Sequence, residues 1–233
     1  MGKSWKNPIK AANAQKKGAV FTKAAREIQV AAKLGGVDPN FNARLRLAID
    51  EAKKNSVPND TIERAIKKGA GLLDGQVIEE VTFEGYGPHG VGVIVECQTD
   101  NRNRTVPEVR LLFKANGGNM GESGAVSWMF ERVSLIEASK SGNYDPEEEA
   151  IEAGANEVSR EGDECSFYGS PEELDTIRKA LEARGWKTTK AELSYKAKNI
   201  TELTEDQKKD IIDFLNEVDD HDDVHRVHAT ISL

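Results

Sequence analysis

Residues 90–118, GVGVIVECQTDNRNRTVPEVRLLFKANGG, decide the fold. In the first nine, Val91, Val93, Val95 and Cys97 alternate with Gly92, Ile94 and Glu96. That period of two marks a strand, and the apolar residues at both parities mark a central one. Thr105 and Glu108 stand at the spacing of a capping box. Val109, Leu112 and Phe113 follow at helical spacing, and Gly117-Gly118 end the helix. A strand feeding a glycine-terminated helix is a unit of layered α/β structure.

Upstream, EEVTFEG (79–85) predicts a short strand, joined through the turn Gly85-Tyr86-Gly87-Pro88. Downstream, strands are predicted near 125–130 and 133–138, and the polar stretch Ser139–Asp145 reads as a linker. A second α/β run follows: helix 146–154, strand 163–168, a helix from Ser170-Pro171, and strand 186–195. A helix over 204–217, capped by Thr204, and a strand over 224–232 close the chain. Added to 90–138, these last two complete β-α-β-β-α-β, the ferredoxin-like order. The expectation is therefore an α+β multidomain chain. A basic all-helical domain covers 1–75, a ferredoxin-like α/β domain covers 76–138 plus 204–233, and an inserted α/β domain covers 139–203 and interrupts the second.

Within the helical head, Val20, Phe21, Ala24, Ile28 and Ala31 fall on one helical arc, with Lys16, Lys23, Arg26 and Lys33 opposite. Gly35-Gly36 end that helix. Asp38-Pro39 read as an N-cap and first helical residue of a second, whose stripe is Phe41, Leu45, Ala48, Ile49 and Ala52. Pro58 interrupts, and a third short helix turns Ile62, Ala65 and Ile66 inward, with Lys67 and Lys68 at its dipole-favoured end.

Charge divides along the same boundary. The 233 residues carry 32 Lys/Arg and 40 Asp/Glu, a net of −8. Met1–Gly71 holds 15 basic and 6 acidic residues (+9), and Leu72–Leu233 holds 17 and 34 (−17). A basic head on an acidic body points to a polyanion partner for the head, with the body repelling it elsewhere. The run from Met1 to Arg26 contains no acid at all. Phosphate contacts are accordingly expected from Lys3, Lys10, Lys16, Lys17, Lys23, Arg26, Arg44, Arg46, Lys53 and Lys54. Trp5 either stacks on an unpaired base or pins the arm to the helices. Arg102 and Arg104 flank Asn103 at a helix start and form a second candidate site; the competing reading pairs them with the acidic body.

Other classes are excluded or unsupported. No apolar run approaches the roughly 20 residues of a membrane span, and the N-terminus lacks the apolar core of a secretory signal. Cys97 and Cys165 form no metal spacing or disulfide framework, which suits a reducing cytoplasm. Gly117–Gly121 matches no phosphate-binding loop. His221, His225 and His228 lie among Asp219, Asp220, Asp222 and Asp223, but strand alternation from Val224 puts His225 and His228 on opposite faces. No catalytic pair, cofactor or metal is expected.

The stretch FEGYGPHGVGVIVECQTDNRNRTVPEVRLLFKANGGNMGESGAVSWMF (83–130) resembles the signature core of the YebC/PmpR family. FTKAAREI (21–28), the GG-DP-N run at 35–40 and VPNDTIERAIKKGAG (57–71) resemble it too, and the similarity spans the chain. One departure is Gly2-Lys3-Ser4-Trp5, where the family often reads GHSKW: the tryptophan and the basic character remain and the histidine does not. The resemblance implies a helical N-terminal domain and two α/β domains, a cytoplasmic location, and no enzymatic activity. It also implies transcriptional regulation by DNA binding, or, by analogy with mitochondrial translational activators and ribosome-linked bacterial members, binding of ribosomal RNA.

Overall fold

The computed structural model describes residues 16–75 and 77–231. Three helices come first: α1 (Lys16–Gly35), α2 (Ala43–Lys54) and α3 (Asn59–Gly69). Their apolar stripes meet as Ile28, Ala31 and Ala32 against Leu45, Ala48, Ile49, Ala52, Ile62 and Ala65. Small residues let the helices approach closely: a Cβ on Gly69 would lie 2.4 Å from the Gln29 carbonyl oxygen.

The second helix starts later than the sequence suggested. Asp38 closes a turn by accepting from the Asn40 amide (2.9 Å), while Asn42 is the true N-cap, accepting from the Leu45 amide (3.0 Å). The Asn42 amide group also donates to the carbonyls of Ala31 and Gly36, both at 2.8 Å. Phe41 therefore precedes the helix and is 90% exposed rather than buried.

The first sheet has the order β3-β1-β2-β8, all antiparallel, from β1 (Glu79–Tyr86), β2 (Gly92–Thr99), β3 (Asn119–Met120) and β8 (Val224–Ala229). Helices α4 (Arg102–Ala115) and α7 (Glu205–Asp219) cover one face. Val93, Val95 and Cys97 meet Val109, Phe113, Ile211, Phe214 and Leu215 there, with Phe113 edge-on to Phe214 at 5.1 Å. Each such fully buried side chain contributes roughly 1.5–3 kcal/mol. The N-cap of α4 is Asn101, four residues before the Thr105 cap that the sequence suggested. The Thr204–Gln207 capping box at α7 is formed.

The second sheet has the order β5-β6-β4-β7, also antiparallel, from β4 (Phe130–Ser139), β5 (Glu157–Glu161), β6 (Glu164–Gly169) and β7 (Lys187–Ala197). With α5 (Pro146–Ala153) and α6 (Leu174–Ala183) its chain order is β-α-β-β-α-β. This corrects the sequence reading, which gave that order to 76–138 plus 204–233. The strands expected near 125–130 and 133–138 are one strand, β4, and it belongs to the second sheet, so residues 130–138 pair outside the unit assigned to them. The reason is that β4 is central. It is buried on both faces and needs two long neighbours, β6 and β7, whereas the place beside β1 takes only the two residues of β3. Ile94 on the other face of the first sheet packs with Val126, Phe130, Tyr195 and Ala197, so the two sheets share a contact.

Candidate nucleic-acid interface

Of the expected phosphate contacts, Lys3, Trp5 and Lys10 lie outside the described residues, as do the side chains of Lys16 and Lys17. Lys23 and Arg26 lie one helical turn apart on α1 and face the turn between α7 and β8. Lys23 donates to the Asp219 carbonyl. Arg26 donates to the Asp222 carbonyl at 2.5 Å and lies 2.8 Å from the Asp223 carboxylate. Asp223 is a hub whose side chain is 1% exposed. It accepts from the hydroxyls of Thr105 (2.6 Å) and Thr99 (3.1 Å) and from Arg104 at 2.8 and 3.1 Å. Burial would raise its carboxyl, but the Thr105 and Arg104 hydrogen bonds and the neighbouring Arg26 charge hold it below the ordinary value.

A second joint lies beside it. Arg44 of α2 forks onto Glu27 of α1 at 2.7 and 3.0 Å and reaches Glu80 of β1 at 2.8 Å. Gln98 donates to Glu27 at 2.7 Å, and His225 lies 3.2 Å from it. Burial would raise the Glu27 carboxyl; the close approach of His225 and the Arg44 fork outweigh it and hold the group well below the usual range. Arg46 lies 3.3 Å from Glu182 of α6, tying the head to the second α/β unit as well. Between the sheets, Glu96 meets Arg132 (3.2 Å) and His228 (3.0 Å), and Arg226 pairs with Glu192 at 2.6 Å.

The head is thus docked through the charges that the sequence offered to a polyanion. Lys53 and Lys54, in the last turn of α2, are exposed and engage no partner among the described residues. The same holds for Arg64, Lys67 and Lys68 on α3 and for Arg102 at the start of α4. At the second candidate site the two arginines therefore part: Arg104 serves the Asp223 hub, with Asp100 at 3.2 Å, while Arg102 points to solvent. Sequence reasoning missed Glu27 and saw Asp223 only as one of the acids around the histidines, whereas its side chain is buried. The available signal for Glu27 was that it is the single acid before Asp38 in a strongly basic stretch.

An open cleft of about 530 Å³ lies at the joint, lined among others by Arg26, Arg104, Glu108, Leu111, His221 and Asp222. Its charged groups satisfy one another: His221 Nε2 lies 3.2 Å from Glu108, and Nδ1 accepts from the Asp223 amide at 3.1 Å. His89, in the turn between β1 and β2, contacts Asp210 at 3.0 Å. A register shift between Glu96 and Cys97 breaks the alternation expected of β8, so His225 turns to Glu27 on the side where His228 turns to Glu96. Among the described residues no group of three His, Cys, Asp or Glu is arranged to hold a metal ion. No helix among them is long and apolar enough to cross a membrane.

Residues 3–72 match the model of the TACO1/YebC protein N-terminal domain, and residues 78–231 match that of the TACO1/YebC second and third domain. A probable transcriptional regulatory protein of Bdellovibrio bacteriovorus is 68% identical over 99% of this chain and 100% of its own length. One from Desulfotalea psychrophila is 46% identical over 96% of this chain and 91% of its own. The crystal structure of a conserved hypothetical protein from Aquifex aeolicus superposes with a TM-score of 0.85 at 43% identity, covering 97% of this chain and 96% of that one. With both family models matched in order and relatives similar end to end, the chain belongs to the TACO1/YebC family, and relatives in it carry the name probable transcriptional regulatory protein.

Proposed function

We propose that the chain is a regulator of gene expression that acts in the cytoplasm by gripping nucleic acid, in the first place promoter DNA, with the exposed cations of its helical head. Lys53, Lys54, Arg64, Lys67 and Lys68 supply phosphate contacts, joined by Lys3, Trp5 and Lys10 of the basic N-terminal stretch and by Lys16 and Lys17 at the start of α1. The observation that carries this reading is the charge balance. The head is +9, its inner cations are consumed in docking to the body, and those left over are exposed and unpaired among the described residues. The acidic body orients the encounter by repulsion.

A specific feature favours ribosomal RNA as the second reading. On α3, which would be the recognition helix of a DNA reader, Asp60 and Glu63 are exposed beside Arg64. Carboxylates there repel the backbone and leave few base readers. A head fixed by ion pairs to two α/β units is a rigid shape, and shape is what structured RNA offers for recognition. The test is to crosslink the protein in its own cells and sequence the DNA and RNA recovered with it. Enrichment at a small set of promoters supports the first reading, and enrichment in ribosomal RNA supports the second. Recovery of neither at levels above a protein of equal charge refutes both.

A further inference from the structure

Far along the chain from the head cations, the loop between β3 and β4 holds an exposed aromatic ring in a pinned setting. Trp128 is 64% exposed in a short turn, Ser127–Met129. An exposed indole on a mobile loop would be unremarkable, but this loop is fastened from below. The Glu84 carboxylate, nearly buried, accepts from the amides of Gly124 (2.9 Å), Val126 (2.9 Å) and Ser127 (2.7 Å). The Gly121 amide donates to the Glu84 carbonyl at 2.8 Å, and Val126 and Phe130 are sunk into the contact between the sheets. Gly124 takes the left-handed turn that the loop requires, at φ +91°.

The ring's own polar atom is already satisfied: Nε1 donates to the Ala125 carbonyl at 3.1 Å. Tyr86, also partly exposed, donates its hydroxyl to the same oxygen at 3.1 Å, so a second aromatic side chain stands beside the first. Lys198 donates to the Trp128 backbone carbonyl at 3.2 Å, placing a cation at the base of the turn that carries the ring. What remains for a partner is a flat π-face on a fastened turn, with the Lys198 ammonium at the turn's backbone. On an acidic body a broad phosphate grip is not available, so stacking has to carry the contact.

We infer that Trp128, backed by Tyr86 and Lys198, is a stacking platform for an unpaired base of RNA, acting apart from the phosphate contacts of the head. This rests on the reading that the chain binds nucleic acid. Bases inside a duplex are already stacked on one another, whereas RNA presents splayed bases in loops, bulges and ends. A ring that needs no hydrogen bond from its partner is sequence-tolerant, since every base has a π-face. Pre-fastening of the loop means that little ordering cost falls on binding.

The experiment is fluorescence anisotropy with full-length protein and two labelled probes, a short oligouridine and an RNA duplex. The variants are Trp128→Ala, Trp128→Phe and the double variant Lys53→Glu/Lys54→Glu. Trp128→Ala is expected to weaken oligouridine binding by about tenfold, the effect of losing one stacked base, with duplex binding unchanged. Trp128→Phe keeps a π-face and stays within about threefold of wild type. The lysine reversal weakens both probes. Trp128→Ala binding oligouridine as wild type does overturns the platform and leaves nucleic-acid binding standing. Equal weakening of both probes by Trp128→Ala also overturns it. Wild-type protein that binds neither probe overturns the RNA reading and the platform with it, and leaves the promoter-DNA reading to its own test.

Discussion

Replacing Asp223 by Ala probes the joint on which the docked head depends. The side chain is 1% exposed, accepts two threonine hydroxyls and faces two arginines. Arg26 is 13% exposed and keeps little solvent once its carboxylate is gone. Hydrogen bonds to charged groups contribute about 1.5–3 kcal/mol, and removing one partner of a buried pair costs about 3–5 kcal/mol. These contributions are not additive, because the same groups make them. The whole change is therefore set at about 3–5 kcal/mol. In a chain of this size each kcal/mol lowers Tm by about 2–4 °C, so Asp223→Ala should melt roughly 6–20 °C below wild type. Arg104→Ala is the control. Its side chain is 43% exposed, and exposed pairs contribute about 0–1 kcal/mol, so Tm falls by less than about 4 °C. Thermal melts followed by circular dichroism at neutral pH measure both. Hydrogen exchange should also quicken in α1 and in residues 219–224 of Asp223→Ala, the two sides of the joint. An Asp223→Ala protein melting within 2 °C of wild type, or one no less stable than Arg104→Ala, refutes the assignment of the hub.

Three further outcomes are expected. Glu149 accepts from Lys140 (2.7 Å), Arg184 (2.8 Å) and Trp186 (3.0 Å), and the Lys140 hydrogen bond leads in pulling its carboxyl down to about 2. Its stabilisation is fully present above the unfolded value of about 4.3 and drains as pH falls toward 2. Urea unfolding of Glu149→Gln should therefore show lower stability at pH 7 and a shallower loss between about pH 5 and 2 than wild type. Gly69→Ala should lower stability by about 1–3 kcal/mol, since its Cβ would meet the Gln29 carbonyl at 2.4 Å. Gly18→Ala, a helical position with nothing within 4 Å, should raise it by up to about 1 kcal/mol, and the two melts together check the packing of α1 on α3. Lys53→Glu/Lys54→Glu should leave Tm within about 1–2 °C. It should weaken nucleic-acid binding and flatten the slope of log affinity against log salt by about two, one per lost contact; an unchanged slope in the folded variant places the phosphate grip elsewhere.

Local pattern carried far in this chain. The apolar stripes of α1, α2 and α3, the alternation of β2 and the cap at Thr204 all follow from spacing, because each is decided by neighbours within a few residues. Caps were harder where two candidates compete within four positions: Asp38 against Asn42, and Thr105 against Asn101. Strand β5 carries no visible signal because, as an edge strand, four of its five residues are exposed and no alternation marks it. The sheet to which β4 belongs was not legible either. A buried strand announces itself, but its partners depend on which positions the rest of the chain has filled. The charged residues show the same limit. Lysine and arginine types were readable as a basic head, yet the acceptors of Lys23 and Arg26 lie 196 residues away in sequence, on a turn that folding brings beside α1.

That distance changes what the charge asymmetry means. A +9 head beside a −17 body looks, as sequence, like a polyanion binder with a repelling tail. In the fold the two charges also satisfy each other, with carbonyls and carboxylates at 219–223 standing on α1 where phosphates were expected. Cations on the inner side of the head are therefore structural, and those at the helix ends are the ones we propose for phosphate contact. Reversing Arg26 to Glu would set a carboxylate against the buried Asp223 and undock the head, so lost binding in that variant would report a broken joint. Reversing Lys53 and Lys54 changes no contact among the described residues, so lost binding there would report the interface itself. The two substitutions separate architecture from recognition because the chain uses one residue type for both.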